Sequence, residues 1–344
     1  MESNFDTWID KIAILLPFPY TIDAILFGLS FFAICVLISL FFNFIYIYLT
    51  TFAVYLWFFG ICFVFSSLKY AKEQLIVLLG NICKYFDESE KAKRIVNKHF
   101  KEIFSFSSTI TWSIIITVLG EIFAFFSWYT IIVGKNSFLI PKVLPQVYYE
   151  QPFLNLKITL IMLMGIPVFF LLGTAAYQLI KVLFLWKNIL KLSLKGNIFI
   201  ITRRLHPIVN YHLRVVMTWF VGVALIALLA FRHFTASVII MEVSLSILGL
   251  LFILVPLLYT RKAIINKKQN LLIKMEKILE EETLPYTEDN KTYDDLYKQD
   301  KVFAYYQQVY SLNPWLIDFQ IIIQVLLGVS SSFIVTLIRT ILNF

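Results

Sequence analysis

Between Asp23 and Lys69 the chain runs for 45 residues without a charged side chain. As one helix that stretch would be about 68 Å long at ~1.5 Å per residue, against a bilayer hydrocarbon core of ~30 Å. It therefore has to fold back. A helical hairpin over 24–43 and 47–68, turning near Asn43, fits that length and keeps every backbone hydrogen bond internal in lipid. Further apolar stretches at 109–133, 158–180, 215–231, 237–259 and 315–338 are each long enough to cross a bilayer. The expected fold is all-α, a polytopic transmembrane helical bundle of about seven spans with helical extensions on one side. Pro167 predicts a kink in the fourth span. An alternative for the last span is a break at Gly328-Val329-Ser330-Ser331-Ser332, which would make it a re-entrant hairpin and change the side of the C-terminus.

Composition decides what this pattern excludes. Soluble domains carry about 45–50% apolar and about 25% charged residues. Here 59% are hydrophobic and 15% charged, with a mean hydropathy of +0.78. An ordinary cytosolic enzyme, a disordered chain and a disulfide-rich secreted domain are all excluded.

Charge placement sets the orientation. Segments 69–108, 181–214 and 260–314 fall on one side together with Lys11, and they hold 25 of the 30 Lys and Arg residues. The opposite side keeps Lys135, Lys142, Lys157, Arg232 and Arg339. The positive-inside rule makes the rich side cytoplasmic and the loop 134–157 external, in a cell (plasma or inner) membrane. Residues 1–11, with Glu2, Asp6 and Asp10 against Lys11, lack the basic start of a cleavable signal.

The organisation expected is an amphipathic N-terminal interfacial helix in 1–22, the hairpin in 23–68, and a cytoplasmic helical segment in 69–108. Two spans follow in 109–180, a basic cytoplasmic segment in 181–214, and two more spans in 215–259. A cytoplasmic helical segment, 260–314, leads into the final span or hairpin, 315–344. Within the cytoplasmic parts, 82–104 and 261–283 carry helical apolar spacing, and 301–311 reads as a short helix after the polar break 284–300.

Motifs for soluble chemistry are missing: no glycine–lysine phosphate loop, no GxGxxG, no GxSxG and no HExxH. Cys35, Cys62 and Cys83 have no CxxC spacing and read as buried thiols. The four histidines, His99, His206, His212 and His233, do not face one another across a bundle as haem ligands would. No enzyme, cofactor or metal site is expected.

Three signals remain. Glu121 and Glu242 lie within spans, where an ionised side chain facing lipid costs at least ~2.5–3.5 kcal/mol at the centre. Each is expected to face the bundle interior, on a cation path or proton relay, with Ser244 and Ser246 as polar lining. The alternative is a structural hydrogen bond. Segment 181–214 carries seven basic residues and no acid. It reads as an anchor to anionic lipid, as a protein-docking surface, or as a phosphate-binding site built from Arg203, Arg204, His206, Tyr211, His212 and Arg214. In 1–12, Phe5, Trp8, Ile9 and Ile12 share one helix face, while Glu2, Asp6 and Asp10 form an acidic stripe on the other. That stripe is a candidate latch against the basic segment.

The sequence RRLHP ahead of a span, and LNPWLIDF opening the last one, resemble features of prokaryotic multi-pass membrane proteins of unassigned function. The layout is also similar to membrane effectors of bacterial defence systems. Polar residues in the spans and a charged cytoplasmic segment point to an oligomeric channel or pore-forming effector gated from the cytoplasm, with an anionic nucleotide or short oligonucleotide as the candidate ligand and no duplex nucleic acid expected. The competing readings are a secondary transporter using Glu121 and a non-conducting membrane scaffold. The partners expected are the lipid bilayer and further copies of the chain.

Overall fold

The computed structural model describes residues 8–9, 19–42, 45–50, 52–132, 152–229, 236–283, 293–316, 323–328 and 330. About 90% of it is helical, with no strand among the described residues. The uncharged stretch does fold back: α1 (Tyr20–Phe41) packs on α3 (Phe52–Ile82) through a short α2 (Ile45–Leu49). The pairing is antiparallel, since Gly28 meets Phe58 and Cys62 while Asp23 meets Lys69. The reversal is longer than a turn at Asn43, a residue outside the described set, and the second leg starts at Phe52.

The spans do not stop where the charges begin. α3 continues past Lys69 to Ile82, and α6 (Pro152–Ile189) runs through Pro167 as one helix. α7 (Ile198–Leu229) and α8 (Ala236–Thr283) likewise join expected spans to charged segments without a break. The backbone has a simple reason to continue. Once nucleated, a helix adds one hydrogen bond per residue, and a polar face simply turns to water. The expected helix at 82–104 is interrupted by the 3₁₀ turn Cys83–Tyr85, after which α4 (Ser89–Ile103) forms. α5 (Phe106–Ile132) follows at an angle of 46° to α4. α9 (Tyr293–Ser311) is longer than the expected 301–311 helix. Most of 134–157 and of 315–344 lies outside the described residues.

Four described helical stretches are long and apolar enough to cross a membrane: Thr21–Phe41, Val54–Tyr85, Gly165–Ile189 and Val243–Glu280. The bent pair α4–α5 makes a fifth if counted as one span. Their outward faces carry exposed aliphatic side chains, including Leu37 on α1, Leu119 on α5 and Ile247 on α8. An apolar belt of that kind is stable against lipid rather than water.

Two cores hold the helices. One lies within the apolar stretches and joins Ala24, Ile61, Phe65, Val168 and Leu171 from α1, α3 and α6. The other lies at the basic end, where the helix extensions bury Leu79, Phe100, Trp186, Leu205 and Ile264. The loop between α6 and α7 closes that second core. Gly196 adopts φ +99°, a left-handed conformation that favours glycine, and Asn197 Oδ1 accepts the Phe199 N–H to start α7. Leu194 bridges to Phe86 in the same loop.

One ion pair ties the hairpin at its basic end. Lys69 Nζ donates to Asp23 Oδ2 at 3.0 Å, with Asp23 fully buried and the lysine 18% exposed. Removing one partner of such a pair strands the other charge. Lys69→Met is expected to lower stability by about 3 kcal/mol, read as a lower thermal midpoint in detergent. Adding Asp23→Asn is expected to recover most of that loss. A Lys69→Met variant as stable as the parent contradicts this role.

Candidate functional site

α5 carries Thr109, Ser113, Thr117 and Glu121 at four-residue spacing, a winding polar stripe about 18 Å long at ~1.5 Å per residue. Thr109 and Ser113 are fully buried. Each hydroxyl in the stripe bonds back along the helix, Ser113 Oγ to Thr109 O and Thr117 Oγ1 to Ser113 O, both at 2.7 Å. α6 approaches this face closely. A Cβ on Gly173 would lie 2.6 Å from Ser113 Cα, so only glycine fits there. Beside it, Thr174 Oγ1 lies 2.7 Å from Ser113 Oγ.

Glu121 ends the stripe near the middle of α5. Its Oε1 would sit 3.2 Å from a Cβ on Gly165 of α6, and the Trp57 ring closes on the same point at 3.7 Å. Both Glu121 Oε1 and the Trp57 indole nitrogen are buried without a hydrogen-bond partner. Buried polar atoms left without a partner are costly and call for an explanation such as a functional role, a bound water or an ion. The carboxyl faces the α3–α5–α6 junction.

Of the other pore candidates, the serines do not join it. Glu242 lies on α8, its side chain outside the described residues. Ser244 is exposed on the same helix, and Ser246 is buried with its hydroxyl unpartnered. α8 packs on α7, α6 and α9, whereas the main contact of α5 is with α6. Ser246 and Glu121 thus occupy different helix interfaces.

The N-terminal residues reach the stripe. Trp8 and Ile9 are buried, and the Trp8 indole N–H donates to Thr174 Oγ1 at 3.1 Å. The indole also packs edge-on against Phe170 and touches Phe27. Trp8 and Ile9, two of the four residues of the expected apolar face, are thus packed into the bundle. Sequence alone showed the face but not its partner. The latch acids Glu2, Asp6 and Asp10 lie outside the described residues.

The six residues expected to share an anion site are split four ways, because α7 is one continuous helix and its 3.6-residue period distributes them. Tyr211 and His212 turn inward, 8% and 1% exposed. Burial holds the His212 imidazole far below its ordinary pKa, so it stays neutral. Arg214 points to α3, donating to Tyr70 Oη at 3.3 Å, and Arg204 stacks 4.7 Å over the Tyr85 ring. Only Arg203 and His206 remain together. They line an open cleft of about 330 Å³ with Phe199, Thr202, Leu312 and Trp315.

That cleft unites the two quoted motifs, RRLHP and LNPWLIDF. Pro314 has no N–H to continue α9, and Asn313 Oδ1 accepts the Trp315 N–H, turning the chain across α7. Arg261 of α8 stacks on the Trp315 ring at 4.3 Å and fixes its plane. A guanidinium, an imidazole, a threonine hydroxyl and an indole around one cleft suit an anion attached to a flat ring. A second polar junction holds α4 to α6, where His99 Nε2 lies 2.8 Å from Asn188 Nδ2 and Lys181 faces Glu102. There burial lowers the His99 pKa, with Glu102 opposing the shift. No group of three or more His, Cys, Asp or Glu is arranged for a metal ion among the described residues.

No protein-family model, curated protein or solved structure matches the chain.

Proposed function

We propose that the chain is a multi-pass plasma-membrane protein of about seven spans, with its basic end cytoplasmic, that assembles with copies of itself to conduct a small cation past Glu121. The observation that carries this reading is the buried Glu121 oxygen without a partner, at the end of the Thr109–Ser113–Thr117 stripe. A structural carboxyl in lipid would be expected to satisfy both oxygens. α5 leaves Trp112, Ile115 and Leu119 exposed on the face turned away from the stripe, where a second copy would pack. The cytoplasmic ligand is an anion bearing an aromatic ring, held between Arg203, His206 and Trp315. The closing element is Trp8, whose bond to Thr174 seals the stripe on the basic side.

The test is ion flux into liposomes carrying the purified protein, with proton and potassium gradients read separately, before and after adding a nucleoside triphosphate or short oligonucleotide to the basic side. Ligand-dependent, uncoupled flux is the expected result. Arg203→Glu is expected to abolish the response, whereas Arg204→Glu, on Tyr85 and away from the cleft, leaves it. Trp8→Ala is expected to give flux without ligand. Flux that requires a co-substrate gradient favours the transporter, and silence from a folded, reconstituted protein favours the scaffold. Orientation is tested by cysteine labelling from outside intact cells, which should reach residue 136 and not residue 195.

A further inference from the structure

An apolar slot of about 90 Å³ lies between α3, α6 and α7, with Leu245 of α8 also in its lining. Along α7 its lining extends from Tyr211 to Val223, about 18 Å at ~1.5 Å per residue. One leaflet of the hydrocarbon core is about 15 Å deep. The volume is smaller than the about 150 Å³ that holds one benzene in a compact cavity, yet it is drawn out over the depth of a leaflet. A space that small encloses only a few methylenes of a chain laid along it, and the rest of the chain lies on the slot's open side.

Its two ends differ in chemistry. The walls are mostly apolar, aliphatic at Val64, Leu68 and Leu172 and aromatic at Phe63 and Trp219, and no acid lines it. At the deep end a Cβ on Gly222 would meet nothing within 4 Å, so the slot is open there for want of a side chain. At the basic end Lys72 lies in the wall with its Nζ 5.0 Å from the Phe104 ring centre. Beside it Tyr70 accepts one N–H of the exposed Arg214 guanidinium, which has five to give. An apolar slot with a cationic mouth matches one class of molecule.

We infer that this slot binds one anionic phospholipid per chain, with an acyl tail between α3, α6 and α7 and the phosphate at Arg214 and Lys72. The site is separate from Glu121 and from the Arg203 cleft, and it stands whether or not the protein conducts. It also gives Arg214 a role that the anion cleft does not.

The test is native mass spectrometry of the full-length protein after equilibration with vesicles of phosphatidylglycerol and phosphatidylcholine bearing the same tails. One phosphatidylglycerol per chain is expected to be retained, favoured over phosphatidylcholine by about thirtyfold for two basic groups. Arg214→Gln and Lys72→Gln should each reduce that preference by about fivefold. Gly222→Leu fills the deep end and should lower retention of both lipids. Arg214 is exposed, so its replacement leaves folding intact and keeps the test decisive. Equal retention of the two lipids, an unchanged preference in Arg214→Gln, or full retention in Gly222→Leu each overturn the proposal.

Discussion

Glu121→Gln is expected to reduce cation flux by about 100-fold while the protein still folds. Glutamine keeps the shape of the side chain, and the buried Oε1 has no partner whose bond would be lost. What disappears is the negative charge that offsets dehydration of the passing cation. On insertion scales that environment penalises an uncompensated charge by ~2.5–3.5 kcal/mol, which sets the size of the effect. Expression and thermal midpoint are expected to match the parent, because the substitution breaks no hydrogen bond of Oε1. Should Glu121→Gln instead lose folded protein, with Glu121→Ala worse, the carboxyl is a structural hydrogen-bonding group and the path lies elsewhere.

Gly173→Val is expected to yield no folded protein. The clash is with backbone: a Cβ would sit 2.6 Å from Ser113 Cα and 3.0 Å from Trp112 O. No side-chain rotation relieves it, so α5 and α6 must separate by about 1 Å to restore ordinary contact. The smaller change Gly173→Ala carries the same clash and is expected to cost about 3 kcal/mol. Because the Ser113–Thr174 hydroxyl pair spans the same contact, Gly173→Ala should also loosen Trp8 and raise ligand-independent flux. Gly222→Leu, into open space, is the matched control for stability.

The parts of this architecture set by local pattern were legible in the sequence. A 45-residue uncharged stretch can only double back in a bilayer, and it does. The apolar spacing of Val96, Phe100 and Ile103 marks the buried face of α4. Glu121 stands out because lipid penalises a charge wherever it sits. Boundaries were less legible, because charged residues such as Lys72 or Lys187 do not end a helix whose other face remains packed. The anion site shows the limit most clearly. Proximity in sequence grouped Arg203 through Arg214, but helical rotation sent His212 inward and Arg214 toward α3. Trp315, 112 positions beyond Arg203, reaches the cleft through a turn at Pro314 that only the tertiary fold directs. The polar stripe had a sequence signal, four polar residues at four-residue spacing from Thr109 to Glu121. Its meaning depended on α6 lying against it, and Gly173 does not announce its partner.

The central claim is that Glu121 is an exchangeable acid on a conducting path. It is tested most directly by treating the reconstituted protein with a lipid-soluble carbodiimide, which couples to protonated carboxyls inside membranes, and following adduct mass and flux together. The expected result is a single modification at Glu121, loss of flux in proportion to it, and protection by high concentrations of the conducted cation. Modification of Glu121 with undiminished flux, or an unreactive Glu121 in a conducting protein, would contradict the account.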